Sequence, residues 1–376
     1  MDSLKALKQP TLTMSSNSDS LQLVIGEQDR LAYLLIDLEK LAKELKASNN
    51  KPFEIFTKSD GSSMIKATAL SKRLLKILVH PLEEFHEAYS QHRFNPLFRV
   101  FMKMRPKLSG IDRWSDLEGL QMEQLESIAR TVNDFSARLK RMLARPSFIS
   151  RHAGFRASGL KNYRSLITYF KRCFMKRSNL LFIRLDLSYK SEFTQSFCSP
   201  TDEMLVDVNF EAMRGHREAF IKHLKHQFKK SLIGYVWRLE YGHKKKSHFH
   251  VLIILDEAAY QADVSIAQRL GEHWKITITS GMGQYFNCNA IKTKYRYCML
   301  GKIRVDNSTA WLGIHYFSTY VSLPDLYIKL ITPNGHRALG KGAIGKRSLS
   351  LAGRPTKYKM PDPIDIEGRR RGFFLL

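Results

Sequence analysis

Apolar positions along this chain follow two different periods, and the change between them divides it. From Leu21 to about Ala144 the spacing is helical. In "RLAYLLIDLEKLAKELKA" the residues Leu31, Leu34, Leu35, Leu38 and Leu41 share one stripe, as an amphipathic helix requires. The run "SDLEGLQMEQLESIARTVNDFSARLKRML" continues that spacing for about eight turns. Ser115 followed by Glu118 has the spacing of a capping box. Arg145-Pro146 and the Gly, Ser and basic residues up to Gly159 read as a boundary. Beyond it the period shortens. "NLLFIRLDLSYK" (Asn179–Lys190) reads as a buried strand with Arg184 and Asp186 on one side, and "NFEAMRGHREAFIKHLKHQFKK" as a basic amphipathic helix. "SLIGYVWRLEYG" and "SHFHVLIILD" read as two strands joined by a Lys-rich turn, and "VSIAQRLGEHWKI" as another helix. Ser308 to Ser322 precedes a Pro-Asp turn and the strand "LYIKLI". "GMGQYFN" (Gly281–Asn287) has glycines without the strand-to-helix setting of a nucleotide fingerprint, and reads as a turn.

These elements predict an α+β fold: an antiparallel or mixed sheet with a central hairpin and helices over one face, preceded by an all-α N-terminal domain. The expected divisions are a flexible N-terminus at 1–20, a helical domain at 21–155, the sheet domain at 160–345 and a basic C-terminal tail at 346–376.

Length and composition agree with two cores: 376 residues, 43% hydrophobic and 11% aromatic. No apolar run reaches the ~18 residues of a membrane span, and "MDSLKALKQPTLTMSSNSDS" lacks the basic-then-apolar order of a secretion signal. Cys173, Cys198, Cys288 and Cys298 form no CxxC pair, which points to reduced thiols and a cytoplasmic setting. Charge changes the picture most. Lys and Arg number 61 against 35 Asp and Glu, a net charge of +26, and the basic residues cluster in Arg138–Arg156, Lys222–Lys230 and the tail. A polyanionic partner, nucleic acid, is the reading this favours.

The central hairpin carries the candidate chemistry. Centred on Lys244, it sets Glu240 opposite His248, with His250 two residues along on the same face. Cross-strand Cβ atoms lie about 5 Å apart and diagonal ones about 7–8 Å, so two imidazoles and a carboxylate can converge on one ion. A mixed N/O set with open positions suits Mg²⁺ or Mn²⁺ carrying a substrate phosphate. Phe249, Val251 and Ile253 then face a core. A His-x-His pair alone is usually strand polarity; the carboxylate opposite and the basic turn Lys244, Lys245 and Lys246 favour the metal reading. His80, His86 and His92, at intervals of six, fit neither one helix face nor a metal box. His243 reads as solvent-facing.

Paired histidines around a hydrophobic residue, an upstream Glu and a later tyrosine resemble the pattern of the HUH endonucleases. More narrowly the chain resembles the rolling-circle replication initiators of filamentous phages (inoviruses) and prophages. The resemblance runs from roughly Tyr163 to Gly345 through "LLFIRLDL", "WRLEYG", "HFHVLIIL", "GEHW", "GQYFNCN", "GKIRVDN" and "YVSLPDLYIKL". It implies a Rep-like fold around an HUH hairpin, and nicking of single-stranded DNA by a tyrosine that forms a 5′-phosphotyrosine and frees a 3′-OH. Tyr320 matches the nucleophile, and Tyr316, one helical turn earlier, a second tyrosine found in some relatives. Such relatives carry Tyr-x-x-Lys, whereas Leu323 stands at the lysine position here, so Lys329, Lys292 or Arg337 is expected to steady the phosphate. The partners implied are single-stranded DNA and origin duplex, then host helicase and polymerase, in the cytoplasm of a bacterial host. The helical half is expected to read the duplex or to form a homodimer. The alternative is an inactive HUH-fold repressor or accessory factor that binds origin DNA, with Leu323 as its support. A third reading is an RNA-binding structural protein.

Overall fold

The computed structural model describes residues 27–344 except 61–62, 81, 84–88, 107, 109–119, 191–202, 243–245 and 296. The expected flexible N-terminus and basic tail lie outside the described residues, as do Ser115, Glu118, His86, Cys198, His243, Lys244 and Lys245. The chain forms two compact units: one from residues up to Ser158 with Asp325–Lys329, the other from Gly159–Pro324 with residues from Leu330 onward.

The first unit runs α1 (Glu27–Ala47), β1 (Phe53–Thr57), β2 (Ser63–Ala67), α2 (Ala69–Leu78), β3 (His92–Phe94), α3 (Pro96–Met104) and α4 (Met122–Ala144). Leu34, Leu35, Leu38 and Leu41 of the predicted stripe are buried. The all-α expectation needs correction. β1 and β2 form an antiparallel hairpin with Phe53 opposite Ala67 and Ile55 opposite Ile65, and "FEIFT" carries the aromatic and β-branched residues that favour strands. Asn133 of α4 fixes it, accepting the Phe53 N–H at 2.9 Å and donating to the Phe53 carbonyl at 2.8 Å.

The stretch read as a boundary does hold the division between the units, at Ser158/Gly159, but it is helical: α5 spans Pro146–Lys176. Pro146 opens the helix, where a backbone N–H has no intrahelical acceptor to lose. Its glycines, Gly154 and Gly159, are single interior positions, which a long helix tolerates at about 1 kcal/mol each.

The second unit continues with β4 (Asn179–Tyr189), α6 (Glu203–Phe228), β5 (Leu232–Gly242), β6 (Lys246–Asp256), α7 (Asp263–His273), β7 (Gly283–Asn287), β8 (Gly301–Arg304) and α8 (Ser308–Ser322). After β9 (Ile328–Leu330), β10 (Leu339–Lys341) completes a sheet in the order β10-β5-β6-β4-β7, with β8 also on β4. These pairings are antiparallel. The result is mixed α+β.

Two further expectations change. Residues 283–287, read as a turn, are the strand β7, with Phe286 opposite Asp186. Gly283 marks a close approach there, since a Cβ would lie 2.3 Å from Thr279 Oγ1 and 2.6 Å from the Trp274 indole nitrogen. Helices also cover both faces of the sheet rather than one. Leu180, Phe182, Leu252 and Ile254 pack with Phe170 and Phe174 of α5 and Trp311 and Ile314 of α8. Leu181, Ile183, Val251 and Ile253 pack with Phe220 of α6 and Leu270 of α7. Strands apolar on both alternations must be buried on both faces.

Candidate active site

On the face under α8, three neighbouring strands turn from apolar to charged at one level. β4 reads Leu180, Phe182, Arg184, Asp186; β6, from its far end, Ile254, Leu252, His250, His248; β5 reads Val236, Arg238, Glu240. The register sets Asp186 and Arg238 on either side of His250, and Glu240 opposite His248. The apolar halves of these strands seat α5 and α8. Their polar halves form the site, and buried charges at that depth must be paired to be tolerated.

They are paired through His250. Its Nδ1 lies 2.6 Å from Asp186 Oδ1 and its Nε2 lies 3.1 Å from Glu240 Oε2. His248 Nε2 stands 3.7 Å from the same Glu240 oxygen, and Arg184 Nε donates to Asp186 at 3.2 Å. Ligand atoms of Glu240, His248 and His250 all fall within 4.8 Å of one another. Two imidazoles and a carboxylate at that spacing are a donor set able to hold a divalent metal ion. Asp186 hydrogen-bonds Nδ1 of His250 from behind, the place an outer carboxylate takes behind metal-ligating imidazoles.

The electrostatics follow from those contacts. Burial opposes the imidazolium of His250, but Asp186 and Glu240 outweigh it and raise its pKa to about 9. Burial likewise opposes the charge on Glu240, yet His250 and His248 hold it down at about 2. Asp186 is held well below the usual carboxylate range, burial being overcome by Arg184 and His250. A doubly hydrogen-bonded imidazolium between two carboxylates is the state these groups favour.

Tyr320 reaches this cluster from α8. Asn307 caps the helix, its side chain accepting the Ala310 N–H at 3.0 Å. Trp311 anchors it, fully buried and donating its indole N–H to the Val305 carbonyl at 2.7 Å. A helix apolar nearly all round belongs in a core, and this one is buried for most of its length. Near its end, Tyr320 Oη lies 2.8 Å from His250 Nε2 and 3.4 Å from Glu240 Oε2. Burial, and then the charge of Glu240, push this phenol well above its ordinary range, while Arg184 acts the other way. The Arg184 guanidinium sits 5.4 Å from the Tyr320 ring centre.

Other predicted residues are placed differently. Tyr316 stacks on Tyr297, with ring centres 4.8 Å apart. Leu323 is buried at the C-cap of α8, a position from which a lysine would have to leave the core to meet a phosphate. Lys292 is engaged by Asp263 at 2.8 Å, and Lys329 donates to the Phe155 carbonyl and Ser158 Oγ, each at 2.6 Å, in the first unit. Both hold structural partners. Arg337 is exposed. Lys246 opens β6, and Lys244 and Lys245 lie outside the described residues. Sequence reasoning passed over Arg238 and placed Arg184 and Asp186 only on one side of their strand. Charges recurring at the same level in adjacent, otherwise apolar strands were the signal available.

One family model, that of the YagK/YfjJ C-terminal domain, matches residues 119–312. The matched span includes Asp186, Glu240, His248 and His250 and ends before Tyr316 and Tyr320. No curated protein and no solved structure matches the chain.

Proposed function

We propose that this chain, which belongs to the YagK/YfjJ C-terminal domain family found in prophage-type proteins, is a nuclease of the HUH type. It nicks and rejoins single-stranded DNA to start rolling-circle replication. The observation that carries this reading is the phenol of Tyr320 at 2.8 Å from His250, beside a Glu–His–His donor set. The charge of +26 supports a DNA partner. No helix among the described residues is long and apolar enough to cross a membrane.

In this reading Glu240, His248 and His250 hold Mg²⁺ or Mn²⁺, which when bound polarises a phosphodiester and neutralises charge building on its oxygens. Asp186 keeps Nδ1 of His250 protonated and Nε2 turned toward the site. Tyr320 Oη attacks phosphorus, the P–O3′ bond breaks, and the Tyr320–phosphate bond retains the ester for later rejoining. The phenol gives its proton up to solvent, because Nε2 of His250 is taken by the ion in this reading, and the leaving 3′-oxygen takes one from solvent.

The test is a denaturation-resistant adduct. Wild-type chain, Mn²⁺ and a 3′-labelled pool of random-sequence single strands yield labelled protein, and Tyr320→Phe abolishes it. Salt-sensitive binding with no adduct supports the second reading, an origin-binding protein without turnover, which Leu323 in place of the relatives' lysine favours. A clear preference for RNA refutes both.

A further inference from the structure

Tyr316 and Tyr297 form a feature that phosphoryl transfer at Tyr320 leaves unused. Their rings are stacked, 4.8 Å between centres and 18° from parallel, and both are only half-buried. Tyr297 ends the run "KTKYRY" (Lys292–Tyr297), in which basic and aromatic residues are interleaved. Lys294 of that run is exposed. The run is held against α8 by a close backbone approach at Gly313, three residues before Tyr316. A Cβ at Gly313 would lie 2.6 Å from the Tyr297 carbonyl oxygen and 3.0 Å from the Met299 backbone nitrogen. Glycine there lets the segment come close enough for Tyr297 to lie over Tyr316.

The pair has what an unpaired base needs: aromatic rings, the exposed cation Lys294 in the same run, and a position one helical turn from Tyr320. A turn advances about 5.4 Å, the reach of a nucleotide flanking the phosphate that Tyr320 would attack. Stacking on such a surface tolerates any base, since every base has a π-face. It also gives Tyr316 work that needs its ring and not its hydroxyl.

We infer that Tyr297 and Tyr316 are a nucleobase-stacking platform that seats a base of single-stranded DNA beside the Tyr320 site. The inference rests on the nuclease reading for its ligand and on the stack for its place.

The experiment uses the full chain as Tyr320→Phe, so that binding is read without cleavage, and single-stranded oligonucleotides containing 2-aminopurine. With both tyrosines present the fluorescent base is quenched on binding. Tyr316→Ala and Tyr297→Ala each weaken binding roughly tenfold, within the ~5- to 150-fold range typical of a lost base–aromatic stack. Tyr316→Phe keeps both affinity and quenching. Near-ultraviolet circular dichroism checks that the alanine variants are folded, and the quenching in the parent chain stands even where one is not. Tight binding with no quenched base overturns the platform and leaves the nuclease reading intact. So does a loss in Tyr316→Phe equal to that in Tyr316→Ala, which would assign the work to the hydroxyl. Absence of single-strand binding in the parent overturns both, and stronger quenching on RNA than on DNA overturns the ligand assigned here.

Discussion

Replacing Asp186 by Asn tests whether the charges under α8 hold one another. The change keeps volume and one acceptor oxygen but removes the negative charge that faces Arg184 at 3.2 Å and His250 at 2.6 Å. Removing one member of a buried pair leaves the other charge desolvated, at a cost of about 3–5 kcal/mol. The Arg184 and Asp186 side chains keep 14% and 22% of their exposure, so solvent relieves part of this and the lower end, about 3 kcal/mol, is expected. Three of the four tryptophans, Trp237, Trp274 and Trp311, belong to this unit. A urea titration followed by tryptophan fluorescence therefore reports mainly on its unfolding. The control is the double variant Asp186→Asn with Arg184→Met. If the cost is an unpaired buried cation, removing that cation recovers at least about half of it. A loss below about 1 kcal/mol in the single variant, or a double variant no more stable than the single, refutes the account.

If Glu240, His248 and His250 hold Mn²⁺ as proposed, binding displaces the proton His250 holds to about pH 9, and affinity rises about tenfold per pH unit below that point. Calorimetry in buffers of unlike ionisation enthalpy measures the proton released, and a pH-independent affinity contradicts it. Stability follows the same pair with a definite sign. His250 is raised from 6.5 to about 9, so its contribution is complete below about 6.5 and is lost as pH rises through about 9. Glu240 is lowered from 4.5 to about 2, so its contribution is present above about 4.5 and fades as pH falls toward 2. Both describe one interaction seen from its two ends, and a plot of stability against pH is highest between those windows. Gly271→Ala places a Cβ 2.2 Å from the Tyr285 ring and is expected to cost about 1–3 kcal/mol by overpacking, read as a lower urea midpoint. Leu323→Lys buries an ammonium at an 8% exposed position, so it lowers the thermal midpoint and leaves adduct yield no higher than wild type. The buried Cys173 and Cys288 thiols, each pushed up to about 12 chiefly by burial, resist maleimide at neutral pH until the chain unfolds, as mass spectrometry of labelled peptides would show.

What the sequence determined by itself is what local period and register control. Alternation in "WRLEYG" and "HFHVLIILD" sufficed to put Glu240 opposite His248 and to send Phe249 and Val251 the other way, because a hairpin's pairing follows from its centre and its two-residue period. The Leu34–Leu41 stripe was equally readable. Short or composition-biased segments were not. "FEIFT" offers only five residues of pattern, the Gly, Ser and basic stretch up to Gly159 hides the helix α5 that runs through it, and Gly283 opens a strand where glycine suggested a turn. At Gly283 packing against Trp274 outweighed local preference, and Asn133 fixes a hairpin that is too short to announce itself by period. Only the tertiary structure decided that β4 lies beside β6. That neighbour brings Asp186 and Arg184, some 60 residues away in the chain, against His250, and α8 then lowers Tyr320 onto the same imidazole. Charge pairing across strands distant in sequence leaves no periodic trace, since its energy depends on distance in space and on exclusion of water, and neither is written in the order of residues.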